Sequence, residues 1–255
     1  MAPRDAYDTL DWSGGPARVY ERLAHALVAQ CPIALEGARV LDAGAGTGLV
    51  GSVASAHGAQ VVAADLADAM LRRVPHGRRV RADVAALPFA RRFDAVLAGC
   101  VVNHFDAPAP VVAAVASVVR TDGAVVLSSF PRRPDPVKEM IDAVATAYGW
   151  VPPDWYRALK AVQAGLTGSI ELFATVGRAG GLGEVHVVDM DVAMTGLTVD
   201  DAVAYRLGLG QFTAWFASVP PYWADHVRAQ AALACAPLVE RWAMPFVVLT
   251  GRVSR

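Results

Sequence analysis

Hydrophobic positions in the first half of the chain alternate between helical and strand-like spacing. Val19, Leu23 and Leu27 recur at helical spacing within a segment of about 16–29, and Pro16 suits the first turn of that helix. Short apolar runs separated by helical segments then predict strands at 39–42, 61–64, 80–82, 93–98 and 124–128. Strands that alternate with helices in this way indicate a parallel sheet covered by helices on both faces.

The pattern changes after the fifth of these strands. That strand is preceded by a helix predicted at 110–120 and by the turn Thr121-Asp122-Gly123. Beyond Phe130 a proline-punctuated, mostly helical stretch reaches about 183. The remaining segments predict a strand at 184–192, helices at 199–218 and 221–242, and a last strand at 245–253. Five of the six tryptophans lie in this half, which favours a helical cap over a ligand but also suits an ordinary helical core.

Composition and charge narrow the class of protein. The 255 residues are 55% hydrophobic and 18% charged, enough apolar material for a substantial core, which excludes global disorder. The formal net charge is −1, without the basic field or polybasic run that nucleic acid or an anionic membrane requires. The only lysines are Lys138 and Lys160, and we attribute the prevalence of arginine to genome base composition.

The cysteines point to a reducing compartment. Cys31, Cys100 and Cys235 are far apart and odd in number, which argues against a disulfide framework or a structural zinc site. No convincing metal-ligand spacing is found elsewhere, so no metal site is predicted. The N-terminal residues lack the apolar stretch of a signal peptide, and no apolar run is long enough to span a membrane. We expect a cytoplasmic protein that is a monomer or a homodimer.

A glycine-rich loop follows the first strand and allows two interpretations. Gly46-x-Gly48-x-x-Gly51 satisfies the dinucleotide fingerprint, with Asp65 at about the distance of a ribose-binding acid, which would indicate a nicotinamide or flavin enzyme. Asp42-x-Gly44-x-Gly46-x-Gly48 starts earlier, with an acid that ends the strand and alternating glycines. Tight packing between strand and helix is a third, purely structural explanation.

Four further segments accompany the glycine loop in a regular order. The five are 40–48 (VLDAGAGTG), 65–71 (DLADAML), 81–89 (RADVAALPF), 93–105 (FDAVL through NHF) and 122–127 (DGAVVL). Together they resemble the motifs of the class I S-adenosylmethionine (SAM)-dependent methyltransferases, in the branch with small-molecule and quinone-methylating members. The acid of the third segment favours this family over a nicotinamide enzyme, which does not need it.

The resemblance implies a Rossmann-like, doubly wound α/β fold. The sheet would have seven strands, the last one antiparallel, with helices on both faces and a helical cap. We expect a single domain over 1–255. Its predicted parts are an N-terminal helical segment at 1–37, a SAM-binding core at 38–130, and helical substrate-cap elements at 131–183 and 195–243.

Three acids carry the predicted cofactor site. Asp65 ends its strand at the ligand crevice and can accept both ribose hydroxyls, or it could cap the following helix. Asp83 would accept from the adenine amine beside the Val84 backbone N–H, or form an Asp turn. Asp42 would reach the methionine amine or merely orient the loop. By the same resemblance, Leu66 packs on the adenine. The candidate cofactor-binding set is Asp42, Gly44, Ala45, Gly46, Gly48, Asp65, Leu66, Met70, Asp83, Val84, Gly99 and Cys100.

His104 is the candidate catalytic base. It follows the fourth strand at the carboxyl edge of the sheet, and its unperturbed pKa of about 6.5 suits proton removal near neutrality. Another role in the pocket, or none, remains open. The candidate substrate-binding residues are the aromatic side chains Tyr7, Trp12, Trp150, Trp155, Tyr156, Phe212, Trp215 and Phe216, for which core packing is the alternative. Tyr20 could also close over the cofactor.

The sequence therefore predicts methyl transfer from SAM to an oxygen, nitrogen or carbon atom of a small organic molecule, with S-adenosylhomocysteine as product. The aromatic content favours an aromatic or largely apolar acceptor of secondary-metabolite type. One alternative is a SAM-binding fold without methyl transfer, such as a cyclase or a ligand-binding module. An NAD-dependent oxidoreductase is a weaker alternative.

Overall fold

A single sheet organises the computed structural model, which describes residues 14–254. Seven strands are present in that range: β1 (Arg39–Ala43), β2 (Gln60–Asp65), β3 (Arg78–Arg81), β4 (Phe93–Ala98), β5 (Val119–Ser129), β6 (Leu182–Ala193) and β7 (Ala243–Val253). Their spatial order is β3-β2-β1-β4-β5-β7-β6. Strands β1 to β5 pair in parallel, whereas β7 lies antiparallel between β5 and β6. The predicted seven-stranded sheet with an antiparallel last strand is confirmed.

Helices cover both faces of the sheet. The helices are α1 (Gly15–Ala29), α2 (Leu49–Ala56), α3 (Asp68–Leu71), α4 (Pro108–Ser117), α5 (Pro136–Ala147), α6 (Asp154–Thr167), α7 (Ile170–Ala179), α8 (Val199–Leu207), α9 (Gly210–Ala217) and α10 (Pro221–Val239). Short 3-10 turns lie at Val84–Ala86 and Val102–His104. Within residues 14–254 no helix combines the length and apolar character needed to cross a membrane.

Side-chain alternation along the strands divides the core into two layers. Val40 and Leu97 face one side, where they share a core with residues of α1, α2, α5, α8, α9 and α10. Their neighbours Leu41 and Val96 face the other side and pack with α4, α6 and α7. Adjacent residues of a strand point to opposite faces, so these continuous apolar runs can be buried on both sides.

Two predicted boundaries differ from the structure for local reasons. Strand β5 begins at Val119, so the expected turn at 121–123 lies inside it, where Asp122 has a φ of 62° and the pairing with β4 shifts register. A Cβ on Gly123 would lie 2.8 Å from the Asp94 carbonyl oxygen, so this close approach requires glycine. The helix predicted at 199–218 is divided into α8 and α9 at Gly208, which caps α8.

The strand order locates the ligand crevice. Strand β1 lies between β2 and β4, so the strand order runs in opposite directions on the two sides of β1. The loops that follow β1 and β4 therefore diverge at the carboxyl ends of these two strands. Ligands of open α/β sheets bind in such a crevice.

Candidate active site

A cavity of about 940 Å³ opens at the carboxyl ends of β1 to β4. Its volume is at the upper end of the roughly 300–1,000 Å³ that is typical of small-molecule sites, so it has room for a cofactor and an acceptor together. One half is lined by the loops that follow β1 to β4. The other half is lined by residues 130–135, by α5, α6 and α8, and by the start of β7. We call these the loop half and the helix half.

The glycine loop is held by its own backbone. Gly44, Gly46 and Gly48 have φ values of 70°, 54° and 85°, in the left-handed region that glycine tolerates best. The N–H groups of Gly44 and Ala45 both donate to the Ala64 carbonyl, at 2.8 and 2.9 Å. The Gly48 N–H donates to the Ala45 carbonyl at 2.8 Å. These donors are therefore used within the protein, although Gly44, Ala45 and Gly46 line the cavity.

Asp65 joins the glycine loop to the cavity. One of its carboxylate oxygens accepts from the Gly46 N–H and the other from the Ala67 N–H, both at 2.8 Å. A carboxylate has about four lone-pair sites, so each oxygen of this cavity-lining side chain can accept a further hydrogen bond. Helix α3 has Ala67 as its N-cap residue, so the alternative role of Asp65 as a helix cap is not observed.

Asp83 combines its two predicted roles. Its carboxylate accepts from the Ala85 N–H at 2.9 Å and so caps the Val84–Ala86 turn, while the residue also lines the cavity. The predicted neighbours Leu66, Met70 and Val84 line the same end of the loop half. A flat heterocycle at this end would have apolar contacts as well as an acceptor for an exocyclic amine.

Asp42 lies behind the loop, outside the set of residues that line the cavity. Its side chain is 1% exposed and accepts from the Gly51 N–H at 2.8 Å. Burial raises the pKa of this carboxyl to about 7; the Gly51 hydrogen bond acts in the opposite direction, and the negative charge of Asp65 acts in the same direction as burial. The structure thus favours the second predicted role of Asp42, which is to orient the loop. Gly48 also lies outside the cavity wall and acts by turning the chain into α2.

The loop after β4 brings Cys100 and His104 to the junction of the two halves. Cys100 has a φ of 57°, and its N–H donates to the Ser128 hydroxyl at 3.2 Å. Burial raises the pKa of the Cys100 thiol to about 12, so the thiol stays protonated. Gly99 lines the wall beside it.

His104 ends the Val102–His104 turn and also lines the cavity. Burial among protein atoms lowers the pKa of its imidazole to about 4, although a hydrogen bond to the Cys100 backbone acts in the opposite direction. The imidazole is therefore neutral near pH 7. It can accept a proton, but it holds that proton weakly.

The predicted substrate wall is only partly assembled in the cavity. Trp155 and Tyr156 line the helix half, and Tyr20 of α1 also reaches the cavity. Trp150 and Phe212 instead stack on each other in the core, with ring centroids 4.3 Å apart and exposures of 4% and 0%. For these two residues the alternative of core packing is observed.

The other aromatic candidates lie elsewhere. Trp215 and Phe216 contact each other outside the cavity wall, and the Arg228 guanidinium lies over the Phe216 ring at 4.7 Å. Tyr7 and Trp12 fall outside the described residues 14–254.

Sequence reasoning missed the charged residues of the helix half. Arg206 is 2% exposed, and its guanidinium donates to both oxygens of Asp142 at 2.6 Å and to the Tyr156 hydroxyl at 3.0 Å. This pairing raises the pKa of Arg206 despite its burial. Lys138 and Lys160 line the same half. The scarcity of lysine in the chain was the only sequence signal that set the last two apart.

The fold and the site together define a class of protein. An open α/β sheet, a glycine loop after β1, and acids at the carboxyl ends of β2 and β3 are features that suit a nucleoside-containing ligand. Residues 41–127 match a family model described as a methyltransferase domain. This match confirms, for residues 41–127, the resemblance to the class I SAM-dependent methyltransferases that is seen in the sequence.

A curated relative shares this part of the chain. It is the ubiquinone biosynthesis O-methyltransferase of Leptothrix cholodnii, 33% identical over 112 residues, which cover 39% of this chain and 47% of that enzyme. The chain thus spans about half the length of this relative.

Solved structures resemble the whole fold at lower identity. Phosphoethanolamine N-methyltransferase 2 of Haemonchus contortus, in complex with S-adenosyl-L-methionine, has a TM-score of 0.59 and 13% identity, covering 91% of this chain and 52% of that one. The cyclase SpnF has a TM-score of 0.56 and 17% identity, covering 92% and 80%. These similarities confirm the Rossmann-like methyltransferase fold.

Proposed function

We propose that this protein transfers a methyl group from SAM to an oxygen, nitrogen or carbon atom of a small, aromatic or largely apolar acceptor. The observation that carries the proposal is the two-part cavity, in which a half lined by Asp65 and Asp83 meets a half formed by helices. We assign residues 38–130 to the cofactor and the helical elements within 131–183 and 195–243 to the acceptor. An acceptor of secondary-metabolite type, a cytoplasmic location and a monomeric or homodimeric state belong to the same proposal.

The residues of the loop half fit SAM as cofactor. The free lone pairs of Asp65 suit a ribose diol, and Asp83 with Leu66 and Val84 suits an adenine. The narrow turn at Gly44 and Gly46 lets the methionine part approach the backbone closely. When bound, SAM supplies an electrophilic methyl group on a sulfonium, and its product S-adenosylhomocysteine would occupy the same residues.

The same loop argues against the oxidoreductase alternative. A dinucleotide site offers loop N–H groups to a pyrophosphate. Here the N–H groups of Gly44, Ala45, Gly46 and Gly48 donate within the protein. A cofactor without phosphates suits this arrangement better.

The chain contributes mainly alignment and exclusion of water. In-line methyl displacement has a good leaving group, and holding both reactants in position can contribute on the order of 7–11 kcal/mol in favourable cases. His104 lies where the two halves meet, and its neutral imidazole can take the proton of an acceptor hydroxyl. We expect His104→Ala to lower kcat while the affinity for SAM stays the same. Unchanged turnover would remove the histidine from the mechanism.

Thermal unfolding with S-adenosylhomocysteine tests the cofactor, with NADH in parallel. A ligand at about 100 times its Kd should stabilise the fold by roughly 2.7 kcal/mol. We expect this shift with S-adenosylhomocysteine alone, its loss in Asp65→Asn, and its retention in Asp106→Asn, which removes an exposed carboxyl outside the cavity. A shift with NADH alone would overturn the proposal.

Product mass tests methyl transfer itself. Methyl transfer adds one methyl group to an acceptor, whereas the alternative of a cyclase that retains SAM binding leaves the substrate composition unchanged. A chain that binds S-adenosylhomocysteine and converts its substrate without a mass increase would support this alternative.

A further inference from the structure

The chain's only two lysines both line the helix half of the cavity. Lys138 belongs to α5 and Lys160 to α6, and both are half-buried in the cavity wall. Both side chains line the same half of the cavity, and the positive charge of Lys138 acts on the Lys160 amine. The other basic residues of the chain are all arginines, so the convergence of both lysines on one cavity is a specific feature of this fold.

The surroundings give this pair few negative charges. The Lys160 ammonium donates to the side-chain oxygen of Gln163, whose amide nitrogen donates in turn to the Phe130 carbonyl at 3.0 Å. Asp142 of α5 faces Lys160, but both of its oxygens are bonded to Arg206 of α8. The ion pairs formed within residues 14–254 include no carboxylate partner for either lysine.

Two other acids, Asp135 and Glu139, belong to the wall of the helix half. Asp135 accepts from the backbone N–H of Lys138 through one oxygen and caps α5, and its carboxylate also interacts electrostatically with the Lys138 ammonium. Glu139 lies at the exposed rim.

Such an arrangement is electrostatically unfavourable on its own. Burial, together with the charges of Lys138 and Arg206, lowers the pKa of Lys160 to about 7, and the charge of Asp142 acts in the opposite direction. An anion between the two ammonium groups would supply the missing opposite charge and form charge-assisted hydrogen bonds with both.

We propose that Lys138 and Lys160 form a subsite for an oxyanion of the acceptor, either a carboxylate or a phosphate. The inference rests on the proposed function, since it assigns the helix half to the acceptor. The rest of that wall includes Trp155, Tyr156 and Phe246. The acceptor would therefore have an aromatic or apolar body that carries an anionic group at the lysine end.

The scarcity of lysine makes the test direct. Protein labelled with 13C-lysine gives only two side-chain Cε signals, which Lys138→Arg and Lys160→Arg assign. The probes are benzoate, phenyl phosphate and neutral benzamide, each titrated with and without S-adenosylhomocysteine. We expect the two anions to shift both signals and to raise the pKa of Lys160, whereas benzamide does neither. The tighter of the two anions identifies the oxyanion.

Variants provide the matched control. Lys160→Met should weaken anion binding by about tenfold or more, the loss expected for one charge-assisted hydrogen bond. Lys160→Arg should keep most of the binding. Arg157→Met removes a positive charge from the exposed side of the same helix and should have no effect. Equal binding of benzoate and benzamide, or unchanged anion binding in Lys160→Met, would overturn the subsite.

The two proposals fail separately. Absence of S-adenosylhomocysteine binding in the same samples would contradict the proposed function, whereas the lysine signals would still report whether the anion binds.

Discussion

The buried carboxyl of Asp42 makes the pH dependence of folding predictable. Its pKa in the folded protein is about 7, against about 3.9 in an unfolded chain. At pH values between these two pKa values, the folded state therefore still holds the Asp42 proton, whereas the unfolded state has released it. Stability from this group is present at acidic pH and is lost as the pH rises towards 7.

Asp42→Asn removes this loss, because asparagine cannot ionise and its carbonyl can still accept from the Gly51 N–H. About three pKa units correspond to roughly 4 kcal/mol at 1.36 kcal/mol per unit, and water penetration makes this an upper value. We expect the variant and the native protein to be similarly stable near pH 4. The variant should then become more stable by a few kcal/mol above pH 7.

The assay is urea unfolding without ligand at several pH values between 4 and 9, with the difference between variant and native protein as the readout. Asp94→Asn is the control. That carboxyl accepts from the Arg39 N–H at 2.6 Å and pairs with Arg120 at 2.8 Å, so its loss should destabilise the fold at pH 9. A difference for Asp42→Asn that stays constant with pH, or a destabilised variant at pH 9, would refute the reasoning.

Three further predictions concern packing and charge around the cavity. Asp142→Asn leaves the Arg206 guanidinium buried without its partner and should cost about 3–5 kcal/mol in urea unfolding. Arg206→Met should cost less, because Asp142 is 27% exposed and can be hydrated; an equal or larger loss would contradict this. Gly44→Ala places a Cβ 2.3 Å from Val101 at a φ of 70°, so we expect roughly 1–3 kcal/mol of destabilisation and weaker S-adenosylhomocysteine binding by calorimetry. The folded pKa of His104 lies below its unfolded value of about 6.5, so its stabilising contribution is present above pH 6.5 and falls as the pH drops towards 4. His104→Gln should flatten this part of the acid unfolding curve, and an unchanged curve would count against burial of the ring.

The local sequence pattern was sufficient to predict the cavity-lining residues that lie at the end of a parallel strand or directly after one. Asp65 ends a parallel strand, and Asp83 and His104 each follow one. All three line one cavity because the carboxyl ends of such strands lie along the same edge of the sheet. The same pattern could not separate the two roles of Asp42, since these differ only in which atoms surround one carboxyl.

Hydrophobic periodicity did not predict which aromatic residues line the helix half of the cavity. Trp150 and Phe212 have the same aromatic character as Trp155 and Tyr156, yet the first pair is stacked in the core and the second lines the cavity. The difference depends on how α6, which carries Trp155 and Tyr156, and α9, which carries Phe212, pack against the surrounding helices. Crossing angles between helices follow from side-chain interdigitation over the whole layer, which no single segment encodes.

The sequence by itself determined the strands of the sheet and the loop half of the cavity, because consecutive strand–loop units each carry their own hydrophobic pattern and motif. The antiparallel direction of the last strand was implied by the family resemblance. The tertiary structure alone decided the helix half. Lys138 and Lys160 lie on different helices, and Arg206 meets Asp142 across 64 residues. Such contacts between helices distant in the chain arise only when the core packs, so the charge of the helix half is a property of the folded molecule.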